Sequence, residues 1–125
     1  MSEIRATTIS DAAGTGPITL TGQSAAKAWV NFDGTGTVAI RDSVNVASIL
    51  DLATGYYTIN YQNSFNNSDY AGTCASTYTT VSGVTCITTW YGAKTVSAQN
   101  IITANTSGVN GDVSEISAEF HGDLA

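Results

Sequence analysis

The sequence predicts an all-β protein, an antiparallel β-sandwich or jelly-roll-like domain carrying an extended N-terminal arm. Three observations predict it. Short runs of alternating apolar and polar residues recur between Gly, Asn and Asp turns, giving about seven or eight strands in roughly 100 residues, the density of a two-sheet fold. Thr, Ser and Asn are abundant while only 11% of the chain is charged, and β-branched side chains pack well on a pleated surface but lose rotamer freedom in a helix. No long segment keeps a helical period, and the nearest candidate, residues 43–52, mixes the two periods and reads as strand plus turn.

Residues 1–25 read as the arm. Ile4, Ile9, Ile18 and Leu20 are spread among Thr, Ser and Gly, which is too little apolar surface to offset the entropy of ordering a core. The arm therefore needs a partner, for attachment or for trimerisation. Residues 26–125 read as the sandwich. Trp29-Val30-Asn31-Phe32 is its first strand, Asp33-Gly34-Thr35-Gly36 a turn and Val38-Ala39-Ile40 the start of the return. Thr54-Gly55 then turns into a strand with Tyr57, Ile59 and Tyr61 on one face and Tyr56, Thr58 and Asn60 on a wetter one. Trp29, Tyr57 and Tyr61 are expected in the core, with Phe65 plugging it from the polar loop at 62–69.

Further strands are expected over 70–78, 84–91 and 95–104. Asn110-Gly111 reads as a two-residue type I′ hairpin, because both of its central positions need φ > 0. The last strand alternates cleanly, Ile116, Ala118 and Phe120 against Glu115, Ser117, Glu119 and His121. Cys74 and Cys86 either close a disulfide across a hairpin or stay as two buried thiols. With a single His in the chain they cannot complete a four-ligand zinc site of the common kinds.

Charge and motif content narrow the function. The net charge is −6, with Arg5, Lys27, Arg41 and Lys94 the only cationic side chains apart from His121. Nucleic-acid binding requires a basic stripe and anionic membranes a polybasic patch, so neither partner is expected. No apolar run reaches the roughly 18–20 residues of a membrane-spanning helix, and the opening residues lack a signal peptide's basic and apolar regions, which predicts cytosolic synthesis. His121 with Glu119 and Asp123 is the nearest approach to a catalytic or metal-binding group, and it reads as a solvated strand end. No nucleophile elbow, phosphate loop or calcium loop occurs. No enzyme activity, cofactor or metal is expected. The aromatic residues Tyr56, Tyr78, Trp90 and Tyr91 remain as contact candidates, since a ring with a polar handle suits sugar and protein surfaces. Of these, Tyr78, Trp90 and Tyr91 are the expected receptor-binding residues.

These residues also carry a resemblance. Residues 23–43, with Ala28-Trp29-Val30-Asn31-Phe32-Asp33-Gly34-Thr35-Gly36 at their centre and Ile40-Arg41-Asp42-Ser43 at their end, followed by Asn45-Val46, resemble a module of tail-fibre and related virion proteins of tailed bacteriophages, especially marine ones. The opening Ser2-Glu3-Ile4-Arg5, the stretch Gly16-Pro17-Ile18-Thr19-Leu20 and the ending Phe120-His121-Gly122-Asp123 are similar to the same proteins. The resemblance implies a homotrimeric virion-surface protein assembled in the host cytoplasm, its arm docked on other tail or capsid proteins and its β-domain facing a host-surface glycan or protein. Tail fibres are usually far longer and carry shaft repeats, which this chain lacks. A short tail fibre or tip fits that length. So does a capsid decoration protein or head fibre that clamps capsid subunits without binding a receptor.

Overall fold

The computed structural model describes residues 25–76, 86–92 and 94–125 together with Ala13, and of residues 86–90 the backbone alone. Within these residues the alternation resolves into β1 (Ala28–Asp33), β2 (Ala39–Val44), β3 (Val46–Ala53), β4 (Tyr56–Tyr61), β5 (Ala71–Ser76), β6 (Cys86–Tyr91), β7 (Ala98–Asn105) and β8 (Ile116–His121). They form two four-stranded sheets, β2-β1-β8-β5 (sheet A) and β3-β4-β7-β6 (sheet B), with every pairing antiparallel. The β1–β2, β3–β4 and β6–β7 connections stay within a sheet, and the other connections cross between sheets. The fold is the expected all-β sandwich.

Strand parity decides what is inside. Val30 and Phe32 from β1, Tyr57 and Ile59 from β4, Ile101 from β7, and Ile116 and Phe120 from β8 are fully buried between the sheets. Each such side chain contributes about 1.5–3 kcal/mol of burial. Phe32 and Tyr57 meet edge to face at 5.3 Å. The buried Thr103 keeps its hydroxyl satisfied by donating to the Gly111 carbonyl at 2.6 Å. Phe65 plugs one end as expected: it stacks on Tyr70 at 4.3 Å and meets Tyr61 edge to face at 5.0 Å. Its backbone bridges Leu124, so the polar loop and the chain's end close over the core together.

Trp29 corrects the sequence reading, which placed it in the core. On β1 the inward positions are Ala28, Val30 and Phe32, and Trp29 lies on the outer face, half-buried. A strand with period two can bury only one parity, and the two apolar residues flanking Asn31 outweigh one indole.

Residues 43–52 run from β2 into β3 and change sheets at Asn45, the only described non-glycine residue with positive φ, at 56°. Asparagine tolerates the left-handed region and here also uses its side chain. Asn45 Oδ1 accepts the Asn63 N–H at 2.7 Å and its Nδ2 donates to the Asn63 carbonyl at 3.0 Å. The amide thus imitates one rung of a strand ladder across the corner.

Asn110-Gly111 does not form the expected hairpin. The residues that follow must reach sheet A, because β8 pairs with β1 and β5 rather than with β7. The turn instead falls at 106–108, where the Asn105 side chain accepts the backbone N–H groups of Ser107 and Val109 at 3.0 and 2.8 Å and Gly108 takes φ 78°. Asn110 then bridges back to Ala104. Cys74 and Cys86 are likewise not on a hairpin, since β5 and β6 lie in different sheets. Cys74 is a free thiol, and burial pushes its pKa up to about 11. The Cys86 side chain lies outside the described residues.

Candidate functional site

The outer face of sheet B near the end of β6 presents an aromatic and amide surface. Tyr91 is the last residue of β6 and is 51% exposed. It pairs with Asn100 on β7, and Asn100 pairs with Thr58 on β4, so three outward-facing positions share one row. Tyr56 is two residues before Thr58 on the same face of β4. Its ring meets the Tyr91 ring edge to face, centroids 5.1 Å apart at 77°, a geometry favoured by the ring quadrupoles.

Hydrogen bonds hold this surface in one arrangement. Thr58 Oγ1 donates to Asn100 Oδ1 at 2.8 Å, and Asn100 Nδ2 donates to the Tyr56 hydroxyl at 3.1 Å. Because Tyr56 accepts from Asn100, its own hydroxyl hydrogen has no acceptor among the described residues, and neither has the second amide hydrogen of Asn100. Further along the face, Asn60 Nδ2 donates to Ser48 Oγ at 3.2 Å. The result is a preset display of one open ring, one supporting ring and oriented donors, suited to contact.

Of the expected receptor-binding residues, the structure brings Tyr91 to this surface. Trp90 has its backbone paired with Ile101, and its side chain and all of Tyr78 lie outside the described residues. The arm residues Ile4, Ile9, Ile18 and Leu20 also lie outside them. Asn100 was missed by sequence reasoning. Alternation around the buried Gln99 and Ile101 marks it as outward, but only the pairing of β7 between β4 and β6 sets it beside Thr58 and Tyr91.

The histidine group is sparse. His121 Nε2 lies 3.9 Å from Glu119 Oε1, and the nearby Thr73 hydroxyl donates to that same carboxylate oxygen at 3.1 Å rather than to the imidazole. Among the described residues no group of three His, Cys, Asp or Glu side chains is placed to hold a metal ion, and no helix is long and apolar enough to cross a membrane. Compared with known protein families, curated proteins and solved structures, the chain matches none.

Proposed function

We propose that this chain is a bacteriophage virion structural protein, a short tail fibre or tip component that binds the host cell surface by contact. The observation that carries the binding role is the 51% exposed Tyr91, braced on Tyr56 beside the oriented Asn100 amide. An aromatic ring with fixed amide and hydroxyl donors suits a glycan or a protein surface. The virion assignment rests on the sequence resemblance at residues 23–46 and at both ends. In this reading the protein works as a homotrimer, where repeated weak contacts add through avidity. Its job needs no cofactor.

Phage particles carrying Tyr91→Ala test the binding role. Adsorption to host cells should fall at least about tenfold, the loss of a central contact residue, with the variant protein incorporated at normal level. Unchanged adsorption with full incorporation would remove this role.

A second reading, a capsid decoration protein or head fibre, draws on the apolar residues of two edge strands, where Leu50 extends the row of Thr58, Asn100 and Tyr91. β2 and β3 form the edges of their sheets and expose Ile40, Val44, Leu50 and Leu52. Apolar edge strands with no further strand paired to them among the described residues suit assembly with another protein subunit.

A further inference from the structure

The outer face of sheet A carries a second surface, on the opposite side of the sandwich from Tyr91. Strand register sets Trp29, Glu119 and Thr73 in one row across β1, β8 and β5, and Asn31, Ser117 and Ala75 in the next. These residues line a groove of about 430 Å³, inside the roughly 300–1,000 Å³ of small-ligand clefts. Trp29, half-buried, offers a broad indole with its base anchored in the sheet.

The polar groups around it are fixed by one another. Asn31 Nδ2 donates to Ser117 Oγ at 2.9 Å, while Asn31 Oδ1 accepts from Arg41 Nη1 at 3.4 Å. Thr73 Oγ1 donates to Glu119 Oε1 at 3.1 Å. Three hydrogen-bonding groups are left over among the described residues: the second Asn31 amide hydrogen, the Ser117 hydroxyl hydrogen and Glu119 Oε2. Donors and an acceptor are thus grouped beside an apolar aromatic face.

That combination selects a class of ligand. A saccharide ring has a C–H face that stacks on an indole and peripheral hydroxyls that both donate and accept. An anionic ligand is disfavoured by Glu119 in the groove and by the net charge of −6. An extended peptide would seek a free strand edge; β5 at the rim of the groove has one, but Trp29, Asn31, Ser117 and Glu119 stand on the interior strands β1 and β8, whose ladders are already filled. We infer that the groove binds a neutral saccharide, with Trp29 as the stacking surface and Asn31, Ser117 and Glu119 reading its hydroxyls. The site is separate from the Tyr91 surface and stands or falls independently of it.

The test uses the full-length chain on an array of neutral and acidic oligosaccharides, followed by titration of the ¹⁵N-labelled protein with the strongest neutral binder. At least one neutral glycan should bind and shift the Trp29 indole N–H resonance. Asn31→Ala and Glu119→Gln should each weaken binding at least about tenfold while Ser107→Ala, in the exposed turn after β7, stays within about twofold. The Asn31 and Glu119 variants keep the indole in place, so they remain informative if Trp29→Ala fails to fold. Absence of any neutral binder, a preference for acidic glycans, or binding that Tyr91→Ala removes and Asn31→Ala leaves intact would overturn the inference. That last outcome would assign the glycan to the Tyr91 surface and support the proposed function while refuting this groove.

Discussion

The Tyr57 hydroxyl lies 2.9 Å from Asp112 Oδ1, and that same carboxylate oxygen accepts the Gly55 backbone N–H at 2.7 Å. The hydroxyl is also 2.9 Å from the Gly34 carbonyl. One buried phenol therefore ties the β1–β2 turn, the β3–β4 turn and the β7–β8 connection together. Gly55 is required there: its φ is 64°, and a Cβ would clash with the Thr103 carbonyl oxygen.

Breaking this tie should cost stability in a coupled way. Tyr57→Phe should lower unfolding free energy by about 1–2 kcal/mol and Asp112→Ala by about 2–3 kcal/mol, since the latter strands the Gly55 donor. Urea unfolding of the double variant should show a loss smaller than the sum, by more than about 0.5 kcal/mol. Simple additivity would mean the two residues act separately.

The sheet-switching corner makes a second prediction. Asn45→Gly keeps the left-handed backbone accessible but loses both bonds to Asn63, whereas Asn45→Ala loses the bonds and strains the backbone. The alanine variant should therefore be the less stable of the two, by about 1–2 kcal/mol. Thermal unfolding with the reverse order would show that backbone conformation at this corner is not limiting.

Alkaline pH should weaken the fold. Burial raises the pKa of Tyr57, Tyr61 and Tyr70 above the ordinary 10.0, and moves Cys74 from 9.0 up to about 11. The folded chain thus holds protons that the unfolded chain releases as pH passes 9.0 and then 10.0. Their stabilising contribution is complete below pH 9.0 and is lost as pH rises through the folded-state values. Urea midpoints measured under reducing conditions should fall steadily above pH 9, and a flat profile to pH 11 would contradict the burial of these groups.

The exposed β3 edge tests assembly. Leu50 and Leu52 are 51% and 50% exposed, so Leu50→Lys with Leu52→Lys should change monomer stability by less than about 0.5 kcal/mol per site. Light scattering of the full chain should find a trimer for the native sequence and smaller species for this variant. Trimers that persist unchanged would place the subunit contact elsewhere.

Where alternation is unambiguous, local sequence is enough. In β4 the apolar parity of Tyr57, Ile59 and Tyr61 and the polar parity of Thr58 and Asn60 have no competitor, and β8 is equally clear from Ile116, Ala118 and Phe120. These residues determine an all-β chain and six of the fourteen described core residues on their own, because a side-chain period of two fixes which residues share a face. Part of the candidate site was legible in the same way, since Tyr56 and Tyr91 stand out as rings near strand ends.

Tertiary structure decided what depends on neighbours. Trp29 sits outside because Phe32 meets Tyr57 across the interior and Val30 is buried on the same parity. Asn110-Gly111 forms no hairpin because β8 belongs with β1. Tyr91, Asn100 and Thr58 become one surface only through the order β4-β7-β6. Parity is carried by the chain itself, whereas strand order is set by competition among long-range pairings, and that competition is settled only when the whole interior packs.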